Sequence, residues 1–283
     1  MKINIAKSSG FCFGVRRAID MSLDLSKADV PVRILGDIVH NEFVVARLRE
    51  AGIGKISDLE PVSEKTILII RAHGAPIKTF EEAERCGYTV VDATCPMVKD
   101  IVKVGRGLEK HSKLIIIGDP GHDEVIGIAG QLDTKPLIMD SPETVRDTDL
   151  SGIGKAAVIT QSTQSGDNIN SIMKELRERL PDVTLHDTTC RTTVTRQEEL
   201  RTLTRDNDVI LIVGSPTSAN TRRLYEIAAD INTATYRIGS SADMRREWFS
   251  DAESVGIMAG ASTPDNIVRV ITERLMDFDR KDT

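Results

Sequence analysis

Short apolar runs rich in β-branched residues recur at Val32–Leu35, Thr66–Ile70, Leu114–Ile117, Ala157–Thr160, Val209–Val213 and Val255–Ala259, with longer segments of helical spacing between them. Runs of four or five such residues are the length of buried strands, and their alternation with helices predicts βαβ units and parallel sheets. Several of the connections that follow open on glycine and continue with polar residues: Gly36-Asp37, Gly118-Asp119, Gly214-Ser215 and Gly260-Ala261. Turns at the carboxyl ends of parallel strands are where ligands sit in such folds.

The pattern repeats three times. Cys12 precedes Gly36 by 24 residues, Cys95 precedes Gly118 by 23 and Cys190 precedes Gly214 by 24. Asp92-Ala93-Thr94-Cys95 resembles Asp187-Thr188-Thr189-Cys190. Four residues after each Gly stand His40, His122 and Ser218, and six after stand Glu42, Glu124 and Asn220. The second run of each repeat ends in Arg71-Ala72-His73-Gly74, Thr160-Gln161-Ser162-Thr163 or Ala259-Gly260-Ala261-Ser262. Self-similarity at this period predicts three pseudo-symmetric α/β units, at 1–95, 96–189 and 190–283. Pseudo-threefold symmetry would bring Cys12, Cys95 and Cys190 to one axis. Cys86 lies outside the repeat and reads as a helix-end residue.

Composition narrows the chemistry. The 283 residues carry 37 Lys+Arg against 43 Asp+Glu, a formal charge of −6, and only 4% aromatics. Nucleic-acid surfaces combine cations with stacking rings, so a general polyanion binder is not expected. The start of the chain lacks the apolar stretch of a signal peptide, and no run approaches a membrane span, which reads as a cytoplasmic protein with no membrane partner. With no C-x-x-C pair, the cysteines suggest neither a disulfide framework nor a zinc ribbon.

Three converging thiolates suit zinc, cuprous copper or an iron–sulfur cluster, and leave one coordination corner open for substrate. His40, His73 and His122, with Ser218, Asn220 and Ser262, offer neutral or cationic donors that suit phosphate oxygens, assisted by helix N-termini. Taken singly, the serines and Asn220 read equally well as helix caps. Beside a bound diphosphate, Glu124 would be held protonated by like charge and could donate a proton. Ser162 and Thr163 could orient a ligand hydroxyl or relay that proton. A zinc-thiolate hydrolase of a phosphorylated substrate and a non-catalytic iron–sulfur sensor remain alternatives at this level.

The motifs Gly10–Ala18 (G-F-C-F-G-V-R-R-A), Arg71–Gly74 (R-A-H-G), Asp92–Pro96 (D-A-T-C-P), Thr160–Thr163 (T-Q-S-T) and Ala259–Asp265 (A-G-A-S-T-P-D) resemble the 4-hydroxy-3-methylbut-2-enyl diphosphate reductase family, from Met1 to about residue 275. The resemblance implies three α/β units arranged as a trefoil around a central iron–sulfur cluster, of the [4Fe-4S] type with three cysteine ligands, Cys12, Cys95 and Cys190. It implies a fourth iron open to the substrate hydroxyl and a diphosphate pocket of His40, His73, His122, Ser218, Asn220 and Ser262. Glu124 matches the proton source, and Ser162 stands where many relatives have Thr. The implied reaction is a two-electron, two-proton reductive dehydroxylation of an allylic diphosphate to isopentenyl and dimethylallyl diphosphates. No G-x-G-x-x-G fingerprint is present, and the resemblance implies a ferredoxin or flavodoxin as electron donor. Two positions depart from the family pattern: Asp123 replaces a Pro and Ala219 replaces a Ser. The Asp277–Asp282 run reads as a solvated tail.

Overall fold

The computed structural model describes residues 1–280. In chain order the elements are β1 (Lys2–Ile5), α1 (Phe13–Leu25), β2 (Val32–Leu35), α2 (Glu42–Glu50), β3 (Gly54–Ile56), β4 (Thr66–Ile70), α3 (Ile77–Arg85), β5 (Tyr88–Asp92), α4 (Pro96–Leu108), β6 (Lys113–Ile117) and α5 (Asp123–Ala129). They continue with β7 (Leu137–Met139), α6 (Pro142–Asp147), β8 (Ala156–Thr160), α7 (Gly166–Arg179), β9 (Val183–Leu185), α8 (Arg191–Arg205), β10 (Val209–Val213), α9 (Ala219–Ala229), β11 (Thr235–Ile238), β12 (Ser254–Ala259) and α10 (Asp265–Arg280).

The strands form three four-stranded sheets, in the orders β3-β2-β4-β5, β7-β6-β8-β9 and β11-β10-β12-β1. Every pairing in them is parallel. The three orders are one topology repeated, with an unexpected closure. The fourth strand of the third sheet is β1, from the start of the chain, in register with β12 from Lys2↔Ser254 to Ile5↔Ile257. A first unit drawn as residues 1–95 therefore needs correction: its opening strand belongs to the last sheet. A short strand buries its backbone donors only by pairing, and the open edge beside β12 supplies the partners.

The chain divides into two compact bodies. One comprises residues 1–16, 39–47 and the chain from Arg191 onward; the other comprises residues 17–38 and 48–190, and so contains two of the three sheets. In the first body, alternation along the strands builds two cores. Val209, Leu211, Val213, Val255 and Ile257 face Ile271, Leu275 and Phe278 of α10, while Ile210, Ile212 and Met258 face Leu200 of α8 and Leu224 and Ile227 of α9. The second body repeats this arrangement around β6 and β8: Ile115, Ile117 and Val158 pack on α7, and Leu114, Ile116 and Ile159 pack on α4 and α5. Each fully buried branched side chain contributes about 1.5–3 kcal/mol, so these two-faced strands carry much of the stability.

Two further expectations meet the structure here. Cys86 does end a helix: it caps α3 and packs with Leu68, Ile70, Ala83 and Tyr88. The run from Asp277 is not a solvated tail where it is described. Helix α10 continues to Arg280, and Phe278 is buried with its ring 5.9 Å from that of Phe249, because Ile271, Leu275 and Phe278 share one helical face. Lys281 and Asp282 lie outside the described residues.

Candidate active site

In each sheet the two central strands send the chain outward in opposite directions, which opens a crevice at their carboxyl ends. Two turns frame each crevice, and backbone hydrogen bonds hold them alike. After the first central strand, Gly36, Gly118 and Gly214 donate to the carbonyls of Ile56, Met139 and Ile238, each at 2.9 Å. After the second, the carbonyl two residues beyond the strand accepts from a cysteine N–H: Ala72 from Cys95 (2.9 Å), Ser162 from Cys190 (3.0 Å) and Ala261 from Cys12 (3.1 Å). The cysteine repeat seen along the chain is thus a repeat of backbone position. Each cysteine follows the outer strand that neighbours the second central strand and opens the next helix.

All four cysteines are free thiols, and the three repeated ones are half-buried. Each stands at a helix start. Cys95 is the N-cap of α4 with Pro96 behind it, Cys190 immediately precedes α8, and the Val15 N–H lies 3.5 Å from Cys12 Sγ. Soft sulfur donors fit the ligand set of an iron–sulfur cluster, and at Cys12 a backbone N–H faces the sulfur. The loop leading to Cys12 is fastened by α8. Glu199 accepts from the N–H groups of Lys7 (2.6 Å) and Ser8 (2.9 Å), and buried Arg196 donates to the Gly10 carbonyl. Gly10 has φ +91°, and any side chain there would run into Asp265.

The crevice between β6 and β8 holds the main acid. Glu124, on the first turn of α5, is buried, and both its oxygens face one residue: Oε1 accepts from the Ser162 N–H and Oε2 from the Ser162 hydroxyl, each at 2.7 Å. Burial holds its carboxyl above the usual carboxylate range; the Ser162 hydrogen bonds oppose this and the nearby Asp119 charge adds to it. His122 is the N-cap of α5, and its Nδ1 accepts from the Glu124 N–H at 3.1 Å, which leaves Nε2 as the donor nitrogen of the neutral ring. Ser162 and Thr163 part company here. The Thr163 hydroxyl accepts from Gln161 Nε2 at 3.1 Å, while Gln161 Oε1 takes the Asp119 N–H at 2.9 Å.

His73 and His122 come together in the same body, with ring centroids 5.4 Å apart and planes at 89°. Two glycines make the approach possible. Gly127 of α5 faces the His73-Gly74-Ala75 backbone, where a Cβ would stand 3.2 Å from each of three main-chain atoms. Gly74 has φ +80° and lies against Thr94. Asp123, the residue that departs from the family pattern, does not leave a bare negative charge: its Oδ2 is 2.6 Å from Arg71 NH1.

The other body positions the remaining donors. Ser218 is the N-cap of α9, accepting from the Thr221 N–H at 3.3 Å, so its reading as a cap holds, and Asn220 lies on the first helical turn. Asn220 Nδ2 and Thr221 Oγ1 are buried with no hydrogen-bond partner. Ser262 Oγ donates to the His40 carbonyl at 3.1 Å, and Ser215 Oγ to Glu42 Oε1 at 2.7 Å. The equivalence of His40 with His122 and Ser218 slips by one residue in space. Asn41 caps α2 through the N–H groups of Phe43 and Val44, so His40 stands just outside the helix.

The sequence pattern left Arg71, Gln161 and Thr221 without roles. Arg71 and Thr221 were detectable only as polar residues beside the repeated positions, and Gln161 as the amide ahead of the hydroxyl pair.

A family model described as LytB protein matches residues 3–276. A 4-hydroxy-3-methylbut-2-enyl diphosphate reductase of Trichlorobacter lovleyi is 39% identical over 276 residues, covering 97% of this chain and 98% of the relative. The protein of the same name from Pelobacter propionicus is 36% identical over 282 residues, covering 99% and 100%. Among solved structures, one of (E)-4-hydroxy-3-methyl-but-2-enyl diphosphate reductase, described as the terminal enzyme of the non-mevalonate pathway, matches with TM-score 0.68 and 33% identity over 98% of this chain and all of that one. A structure of the E-1-hydroxy-2-methyl-but-2-enyl-4-diphosphate reductase from Plasmodium falciparum matches with TM-score 0.90 and 26% identity, over 97% of this chain and 88% of that one.

Proposed function

From the premise that the chain belongs to the LytB protein family, we propose that it reduces 4-hydroxy-3-methylbut-2-enyl diphosphate, the allylic hydroxyl leaving as water on uptake of two electrons and two protons. The products are isopentenyl and dimethylallyl diphosphates. The zinc-hydrolase and sensor alternatives lose their support, since the relatives across the whole chain carry the reductase name.

Cys12, Cys95 and Cys190 are the residues that would hold a [4Fe-4S] cluster, by their soft sulfurs, none of them in a disulfide, and their equivalent backbone seats. When bound, the cluster supplies an open Lewis-acidic iron and a path for single electrons. Those electrons come from a low-potential protein carrier, a ferredoxin or flavodoxin, and a reducing cytoplasm suits the free thiols.

The chain's own residues hold the substrate and move the proton. His73 and His122 donate to diphosphate oxygens, His122 through Nε2, since its Nδ1 accepts from the Glu124 N–H. His40, Ser218, Asn220 and Ser262 supply further donors, and the buried unbonded Asn220 Nδ2 marks one of them. Glu124 is the proton source, and the observation that carries this role is its burial with both oxygens on Ser162. Glu124, its carboxyl pushed above the usual range by burial, passes a proton to Ser162 Oγ as that hydroxyl releases its own toward the departing hydroxyl of the substrate. Thr163, tied to Gln161, orients that hydroxyl without sharing the proton.

The test is anaerobic. Protein reconstituted with iron and sulfide, given chemically reduced methyl viologen and the allylic diphosphate, is expected to oxidise two viologens per substrate and release both five-carbon diphosphates. A reconstituted protein that binds iron and sulfide yet leaves the viologen reduced overturns the reading.

A further inference from the structure

Outside the groups assigned to binding and proton transfer, one charged pair stands at the same crevices. Arg71 follows β4 and begins the turn that carries His73; Asp123 is the first residue of α5, between His122 and Glu124. Their contact, Arg71 NH1 to Asp123 Oδ2 at 2.6 Å, joins turns from two different sheets of one body, and both side chains are four-fifths buried. The guanidinium is also lodged against the first turn of its own sheet. A Cβ built on Gly36 would lie 2.9 Å from Arg71 NH1 and would displace the guanidinium, and Gly36 holds φ +75°, a conformation that favours glycine.

We infer that Arg71 and Asp123 form a positioning pair that fixes the His73 and His122 rings relative to one another for diphosphate binding. The inference rests on the diphosphate reading above and deepens it. Arg71 is two residues from His73 and Asp123 is adjacent to His122, so the ion pair closes a short loop of covalent and ionic links around the two rings. The C-terminal end of α5 is tied to the same segment by the Ile77 N–H donating to the Gly130 carbonyl (3.0 Å) and Gln131 Nε2 donating to the Ala75 carbonyl (2.9 Å), and Gly127 packs on the His73–Ala75 backbone. The Gly127 contact limits how close the helix can come; the ion pair limits how far its first residue, next to His122, can withdraw. Pairing also neutralises Arg71, so the guanidinium is not left to compete with the histidines for the anion, and Asp123 is not left to repel it. Neither residue touches substrate in this assignment, and neither takes part in proton transfer.

A positioning role separates binding from chemistry. Asp123→Asn removes the charge with little change in size, and Asp123→Pro places at the first helical position a residue that suits it. Both variants are expected to raise KM for the allylic diphosphate about tenfold, a loss of about 1.4 kcal/mol, with kcat changed less than about threefold. Titration calorimetry with inorganic diphosphate as the probe is expected to show the same weakening without turnover. Arg71→Met should match the Asp123 variants, and the double variant Arg71→Met/Asp123→Asn should cost no more than either alone, as coupled residues require. An unchanged or lowered KM and diphosphate affinity in both Asp123 variants overturns the inference, as does full additivity in the double variant. If the wild-type protein neither binds diphosphate nor turns over the allylic substrate, the functional reading itself fails, and that outcome is visible before any variant is made. A fall in kcat at unchanged KM would move Asp123 into the chemistry and also refute the positioning role.

Discussion

Replacing Glu124 with Gln separates what the buried acid does for catalysis from what it costs the fold. The amide has nearly the shape of a protonated carboxyl. Its oxygen can accept the Ser162 N–H, and its NH2 can donate to the Ser162 hydroxyl, so both 2.7 Å contacts survive with neutral partners. What disappears is the transferable proton. General acid catalysis contributes about 10²–10⁴-fold, so kcat should fall by that factor, a barrier increase of about 3–5 kcal/mol, while KM stays close to that of the wild-type enzyme. Stability moves the other way. Burial raises the folded-state pKa of Glu124 above its unfolded value of 4.5, so the native protein binds the proton more tightly than the unfolded chain does. Its contribution is therefore fully present below about pH 4.5 and is lost as pH rises through the raised folded pKa. The glutamine variant carries no such dependence. In paired thermal or urea unfolding across pH 5 to 8.5, the wild-type protein should fall progressively behind the variant as pH rises. In anaerobic viologen assays over the same range, wild-type kcat should decline once pH passes the raised pKa, because the acid form is the donor. Turnover within about threefold of wild type in the variant, or a wild-type protein that gains stability on the variant with rising pH, would refute the assignment of Glu124 as a buried proton donor.

Two further substitutions test the geometry around that acid. Ser162→Ala removes the hydroxyl on Glu124 Oε2 and leaves the backbone donor on Oε1; kcat should drop at least about tenfold and its alkaline limb should move to higher pH, since a bond that favours the carboxylate is gone, whereas Thr163→Ala should leave that limb in place. Gly127→Ala places a methyl 3.2 Å from three backbone atoms of the His73–Ala75 turn, so it should destabilise by about 1–3 kcal/mol and raise KM, despite a helix-propensity gain of about 1 kcal/mol; a higher melting temperature in that variant would show that the helix is not packed on the turn.

The six strands legible in the sequence are the inner pair of each sheet, β2 and β4, β6 and β8, β10 and β12. Five of them are buried on both faces and so nearly continuously apolar, as in Thr66–Ile70 and Val209–Val213, while Val32–Leu35 alternates buried with half-buried positions and carries Arg33. The six outer strands escaped the pattern because each is short or only partly covered: Gly54–Ile56 and Val183–Leu185 alternate half-buried with exposed, and Lys2–Ile5 has exposed ends. No local property of Lys2–Ile5 says that it completes a sheet whose other strands begin two hundred residues later.

The candidate chemistry divides in the same way. The cysteines, histidines and Glu124 were legible because a fold repeated three times presents its crevice side chains at a repeated spacing, and the spacing survives as a pattern along the chain. Their partners were not, because partnership depends on what lies across a crevice and not on what lies along the chain. Only the tertiary structure decided that Glu124 spends both oxygens on Ser162, that Thr163 turns instead to Gln161, and that the charge of Asp123 meets Arg71. It also decided that Asn41, not His40, caps its helix, a shift of one residue that spacing cannot register. Periodicity and spacing are set by short-range geometry of the backbone, which a sequence records directly. Burial, ion pairing and proton affinity are set by atoms brought within a few ångströms from distant positions, and those exist only once the sheets and helices have packed.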